Sequence, residues 1–379
     1  MGWLNGWAYR KKITISASSS QATWQASTAY SIGAIVRPTT ANGYWYVCDV
    51  AGTSGSSQPS WPTTVGATVT DGTVTWRCRK DYQVLLKIGE SSGASNYNFH
   101  LEGKSASFPT GINQGGDLRF TKDDGTTLLN FWVEEISGTS PNRTANVWVK
   151  VEGDLSSKDI YCYFGNSQAT NASNGQNTMI LQEDADGGLK NTWTVESGTW
   201  QVQTGGGYNG SDAYREYSGT SGTKFSRVNI SAYAGLHLKA RMYFESDVNY
   251  GGQLRLFTGS TNQINLQLFP ASNQMSLYCV NEYKSYPTIG ANTWYLLDLY
   301  FAPNGNINAY CNGGYGVSTT NTDLRAFDSL KLASEITVTR FDTIFIRNYV
   351  ATEPAFSSAG ALETASIINY GAMLLMFLS

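Results

Sequence analysis

An all-β fold is predicted for this 379-residue chain by three observations. Aromatic residues are abundant (11 Trp, 23 Tyr and 15 Phe) and strong helix formers are sparse, a balance that favours strands joined by polar turns. Short runs of alternating apolar and polar residues recur along the chain, broken by Gly, Asn and Asp. No helical stretch of note precedes residue 360, and there is no short-period repeat. The expected architecture is a β-sandwich (residues 1–20 and 81–182) carrying an inserted small β module (21–80), then a two-sheet jelly roll (183–360) and an apolar terminal segment (361–379).

The first strand is read at Tyr9-Arg10-Lys11-Lys12-Ile13-Thr14-Ile15-Ser16 and its partner at Tyr82-Gln83-Val84-Leu85-Leu86-Lys87-Ile88. The segment between them is rich in Trp and Tyr and poor in charge. A module spliced into a hairpin is expected on an exposed loop, because its host must fold around both ends. The sandwich continues through residues 117–121, 128–134, 145–151 and 159–164, with Lys122-Asp123-Asp124-Gly125-Thr126 as a tight turn whose Gly supplies the positive φ. Beyond Asp184 the strands lengthen. Residues 236–244, 253–257, 264–269, 274–280, 294–301 and 341–347 all alternate, the pattern of a two-sheet jelly roll.

Charged residues make up only 15% of the chain and the formal net charge is −3, which offers no broad attraction to nucleic acid or acidic lipid. Cys48, Cys78, Cys162, Cys279 and Cys311 are odd in number and widely spaced, so neither a disulfide framework nor a zinc site is expected. Cys48 and Cys78 are read as free thiols of the insert. Residues 1–7 lack a basic n-region and an apolar h-region. A surface-acting composition without such a leader fits a virion-surface protein; an extracellular or cell-surface protein with its leader removed is the competing expectation. The stretch 365–379 is apolar and uncharged but shorter than the ~20 residues that span a bilayer. Ile367, Ile368, Leu374, Leu375 and Phe377 are therefore expected to bury themselves against sister subunits in a homo-oligomer, with a tail anchor as the second reading.

Residues 7–16 and 82–180 resemble a family of surface-protein β-sandwich domains of unknown function from bacteria, archaea and their viruses. The resemblance rests on Tyr9 to Ile15, Asp117-Leu118-Arg119-Phe120, Asp124 to Leu129, Val147 to Val151 and Tyr161-Cys162-Tyr163-Phe164-Gly165-Asn166. It implies exported, modular proteins and no known catalytic residues. Residues 184–356 resemble the concanavalin A/laminin-G-like jelly roll, through Ser197-Gly198-Thr199-Trp200, residues 341–350 and Glu353-Pro354. The insert is similar to small chitin-binding-like and phage-tail modules through Trp24, Tyr30, Gly33, Val36, Tyr46, Trp61-Pro62 and Asp71-Gly72. A tail-fibre or appendage protein is what the three together imply.

Retaining glycosidases need two carboxylates about 5 Å apart. No Glu-x-Asp-x-Glu run supplies them, and Glu134 and Glu135 are adjacent, so on a strand they are expected to face opposite sides. His100 and His237 have no motif pairing them with Ser or Cys; His237 reads as a strand-face residue. Asp184 and Asp186 are the weak candidates for Ca²⁺, without a full set of regularly spaced ligands, and no other cofactor is expected. Tyr30, Tyr44, Trp45, Tyr46, Trp61 and Trp76 form the densest aromatic cluster and are the candidate carbohydrate-binding residues. Alternation places Tyr44 and Tyr46 on one face and Trp45 on the other, so one set must fill a small core. The expected function is a non-enzymatic virion or tail-fibre protein that binds a cell-surface glycan, with other virion proteins as further partners. A structural building block whose aromatics contact sister subunits is the first alternative, and a polysaccharide-degrading enzyme the second.

Overall fold

The computed structural model describes residues 2–218, 222–246, 251–277, 282–285, 289–335 and 337–365. It is all-β: layered sheets of short strands with one four-residue helix, Gly175–Thr178, and two single-turn 3₁₀ segments among the described residues.

The first sandwich packs a five-stranded sheet on a four-stranded one. Tyr9–Ile15 sits in the five-stranded sheet between Lys158–Phe164 and Phe356–Thr364. Tyr82–Gly89 lies in the other sheet, paired with Thr144–Val151, which in turn pairs with Phe131–Ser137. The two strands flanking the insert are thus in opposite sheets and not in one hairpin, which corrects the expectation. Their inward residues Ile13, Ile15, Val84, Leu86 and Ile88 meet across a common core. Phe356–Thr364 also corrects the domain limits, since it returns to pair with the first strand, while the last jelly-roll strand ends at Asn348 and Val350 already joins the sandwich core.

The insert forms a five-stranded sheet of Gln21–Thr23, Ile35–Arg37, Trp45–Val50, Val74–Arg79 and Thr68–Asp71. One face closes a small core of Trp24, Val36, Tyr46, Cys48, Trp76 and Cys78. The other face sends Ile35, Trp45 and Val47 into the core of the first sandwich. A module of this size cannot bury both faces of its sheet by itself, so its host supplies the second layer. The third side abuts the jelly roll. There Asp49 takes Arg77 Nε at 2.6 Å and Arg325 at 3.2 Å, Arg79 donates to the Ala234 carbonyl, and a Cβ on Gly33 would lie 2.3 Å from the Asn304 backbone. The insert is a wedge between the two larger units, not the exposed projection expected from its sequence.

The jelly roll stacks an eight-stranded sheet on a seven-stranded one around a core that includes Leu238, Met242, Leu266, Leu297, Leu299 and Ile346. The eight-stranded sheet runs through Thr339–Asn348, Leu236–Phe244, Trp294–Phe301, Asn306–Cys311 and Tyr315–Thr320 in that spatial order. Its outer face divides in two. The Thr339–Asn348 side is covered by the first sandwich, where Phe345 packs edge-on to Trp132 and Trp148 with ring centroids 5.6 and 5.8 Å away. The side from Trp294–Phe301 outward has no layer above it among the described residues.

Candidate functional site

The aromatic cluster of the insert is built as a core. Trp45, Tyr46 and Trp76 have no solvent exposure. Tyr46 donates its hydroxyl to the Pro62 carbonyl at 2.9 Å, accepts from Asn42 and packs 4.2 Å from the Trp61 ring. Trp24 and Trp76 both donate their indole N–H to the same Asp71 oxygen, at 2.8 and 3.0 Å. Tyr30 meets Trp76 edge-on at 4.8 Å, and Tyr30, Tyr44 and Trp61 are half-buried against this core. The alternation of Tyr44 and Tyr46 against Trp45 holds, but the face opposite the small core meets the sandwich instead of water. Trp45, Tyr46 and Trp76 are therefore corrected from ligand contacts to core residues.

Asp184 and Asp186 pin local turns. Asp184 is buried and accepts from Asn113, from Gln182 at 2.8 Å and from the Asp186 amide at 3.1 Å; Asp186 accepts from the Asp212 amide at 2.7 Å. Both Asp184 oxygens and Asp186 Oδ1 accept from the protein's own N–H groups, which leaves a poor donor set for Ca²⁺. No group of three or more His, Cys, Asp or Glu suited to a metal ion is found among the described residues. Ile367, Ile368, Leu374, Leu375 and Phe377 lie outside the described residues.

What the structure brings together is the seam between the first sandwich and the eight-stranded sheet. A cavity of about 400 Å³ opens there, lined by Leu85, Lys87, Trp148, Lys239, Tyr300 and Pro354 among others. His237 forms its wall. Its Nε2 lies 2.8 Å from Asp298, Arg347 Nε donates to its Nδ1 at 3.1 Å, and its ring stacks on Tyr300 at 4.1 Å with an interplanar angle of 8°. The Arg347 donor fixes Nδ1 as an acceptor, so Nε2 carries the proton. Burial pushes the imidazole down to about 4, with the Asp298 hydrogen bond opposing it and the Arg347 charge adding to it. Burial, then the Asp298 charge, pushes the Tyr300 phenol up to about 12. Arg347 is also held by Glu353 and lies 4.7 Å above the Trp148 ring, and Trp148 donates to Glu134 at 2.7 Å. Lys239 closes the network on the other Glu134 oxygen.

A second cavity of about 320 Å³ shares Glu134 and adds Glu135, Tyr208, Ser211, Arg241 and Thr343. Both glutamates line it because a β-bulge at Glu134 breaks the register between Val133 and Glu135, correcting the expectation of opposite faces. The Arg241 guanidinium lies 3.7 Å over the Tyr208 ring. Beneath, Asp342 accepts from the Tyr208 amide at 2.8 Å and Ser211 at 2.7 Å, and burial pushes its carboxyl up to about 6. Thr343 follows at φ +49, a strained conformation for a β-branched residue.

On the open half-face, Trp294, Leu296, Asp298 and Tyr300 point outward while Tyr295, Leu297, Leu299 and Phe301 enter the core. Trp294 lies 5.3 Å from Tyr243; Tyr300 lies 6.1 Å from Tyr310 and 5.1 Å from Tyr349. All five rings are partly exposed. These residues were overlooked in the sequence, although aromatics at the polar positions of a strictly alternating strand were a usable signal.

Residues 114–203 match the family described as Domain of unknown function (DUF2341), which spans the last strands of the first sandwich and the start of the jelly roll. No curated protein matches the chain. Among solved structures, the chain is similar to a carbohydrate-binding module, CBM66, of Bacillus subtilis, with 14% identity over 42% of this chain and 98% of the module at a TM-score of 0.35. It is similar to the cellulose-induced protein Cip1, with 12% identity over 44% of this chain and 96% of that one at a TM-score of 0.36. It is also similar to a carbohydrate esterase of Shiga toxin-encoding bacteriophage phi24B, with 16% identity over 45% and 99% at a TM-score of 0.34. At these levels the likenesses carry no argument about ligand or reaction.

Proposed function

We propose that this chain is a non-enzymatic surface protein, of the kind carried on a virion or tail fibre, that binds a cell-surface glycan on the outer face of its eight-stranded sheet. The observation that carries the reading is the partly exposed ring set around Tyr300, beside a cavity lined by hydrogen-bonding groups. Flat apolar sugar faces stack on such rings while the polar groups meet hydroxyls. A weakly charged, strand-rich build suits an exterior setting, and assembly into a homo-oligomer belongs to the same proposal.

Binding without cleavage is favoured by the state of the acid–base candidates at the seam cavity. Both ring nitrogens of His237 are engaged, one by Asp298 and one by Arg347, so neither is free to take a proton from a nucleophile. Both Glu134 oxygens are engaged, by Lys239 and Trp148. Incubation with a panel of cell-wall and capsular polysaccharides tests the proposal. Retention without new reducing ends is the expected result. Product release that disappears in Glu134→Gln would replace it with the hydrolase reading.

A further inference from the structure

We infer that the open half of the eight-stranded sheet holds an extended stretch of an uncharged glycan chain, laid along Trp294–Phe301, and not a single sugar. This rests on the glycan reading above and adds the length and charge of the ligand.

The length comes from two ring groups at the two ends of one strand. Trp294 with Tyr243 marks one end, and Tyr300 with Tyr310 and Tyr349 the other. Trp294 and Tyr300 are six positions apart on the same face, roughly 20 Å at ~3.3 Å per residue. That distance fits several linked sugars. One face of the Tyr300 ring is backed by His237, and Tyr310 has a defined seat beside it. A Cβ at Gly316 would lie 2.9 Å from the Tyr310 ring, so the glycine lets that ring rest over the neighbouring strand.

The charge comes from what lies between them. Trp294–Phe301, Asn306–Cys311 and Tyr315–Thr320 contain one charged residue in all, the carboxylate of Asp298, which accepts a hydrogen bond from His237. The cross-strand register aligns Tyr300 with Asn308 and Asn308 with Ser318, and Asp298 with Tyr310. These three strands therefore offer amide and hydroxyl groups and no cation to a ligand carboxylate or sulfate, while the neighbouring Arg241, cross-strand from Leu296, is held over the Tyr208 ring. At the adjoining seam Lys239 and Arg347 are neutralised by Glu134 and Glu353, and Lys87 is exposed at the edge of the cavity.

The test is titration calorimetry of the whole chain with oligosaccharide ladders of β-glucan, mannan and galactan, from monomer to octamer, with polygalacturonate as the anionic comparison. Affinity for one neutral ladder should climb with length and then level off, with little dependence on salt. Trp294→Ala and Tyr300→Ala should each lower affinity for the long oligomers by about tenfold, the size of one lost stacking contact. Equal affinity for monomer and octamer, or binding confined to polygalacturonate and lost with salt, overturns the inference while leaving glycan binding in place. No binding to any glycan, with self-association that the two substitutions abolish, removes the glycan reading itself and makes the face an interface between copies.

Discussion

The insert keeps Trp45, Tyr46 and Trp76 at zero exposure, whereas the Trp294–Phe301 strand holds Trp294 and Tyr300 partly in solvent above a core of Leu297 and Leu299. Both regions are strands with aromatic residues on both faces. They differ in what lies over the second face. The insert's is roofed by the first sandwich through Ile35, Trp45 and Val47, and half of the eight-stranded sheet has no roof among the described residues. A dense group of rings therefore reports the need of a small module for a core. Rings that alternate against an already complete core report a surface available for contact.

Breaking the roofed region should cost most. Trp45→Ala is expected to destabilise the protein by about 3–5 kcal/mol in urea unfolding, because the ring fills the host core. Replacing residues 21–80 with a short turn should expose that core and yield an insoluble or molten protein, not a folded remainder. A soluble, cooperatively folded deletion protein would restore the view of the insert as a free projection. Next in size is the seam. Lys239→Met leaves Glu134 buried without its cation and should cost about 3 kcal/mol.

Acid and base should then separate the two cavities. His237 is pushed from its ordinary 6.5 down to about 4, so its contribution is full above pH 6.5 and is lost as pH falls through 4. Asp342 is pushed from 3.8 up to about 6, so its contribution is full below pH 3.8 and is lost as pH rises through 6. In urea titrations across pH the two slopes oppose one another: His237→Gln should remove a rise in stability between about pH 4 and 6.5 and Asp342→Asn a fall between about pH 3.8 and 6, each by on the order of 1–3 kcal/mol. Crossed effects would contradict the assigned partners. The smallest change belongs to the open face, where Tyr300→Ala and Trp294→Ala should each cost about 1 kcal/mol or less in stability.

Much of the strand pattern was legible because alternation survives in local sequence, as in residues 144–151 and 294–301. What was hidden depends on layers that meet only after folding. Nothing near Trp45 shows that its outward face will join the core that holds Val84 and Leu86 of the sandwich. The return of Phe356–Thr364 to Tyr9–Ile15 is a contact across nearly the whole chain. The bulge at Glu134 is a single-residue register slip that turns two adjacent carboxylates toward one cavity, and no residue type there announces it.

The contrast between the two aromatic regions is tested most directly by affinity electrophoresis in gels cast with β-glucan, mannan or galactan, running the native chain beside two variants. Tyr44→Ala alters a half-buried ring of the insert, and Trp294→Ala/Tyr300→Ala clears both ends of the open strand. The account predicts that one gel retards the native chain and Tyr44→Ala equally, while the double variant migrates as it does without polysaccharide. Retardation of the double variant together with free migration of Tyr44→Ala would place binding on the insert and contradict it.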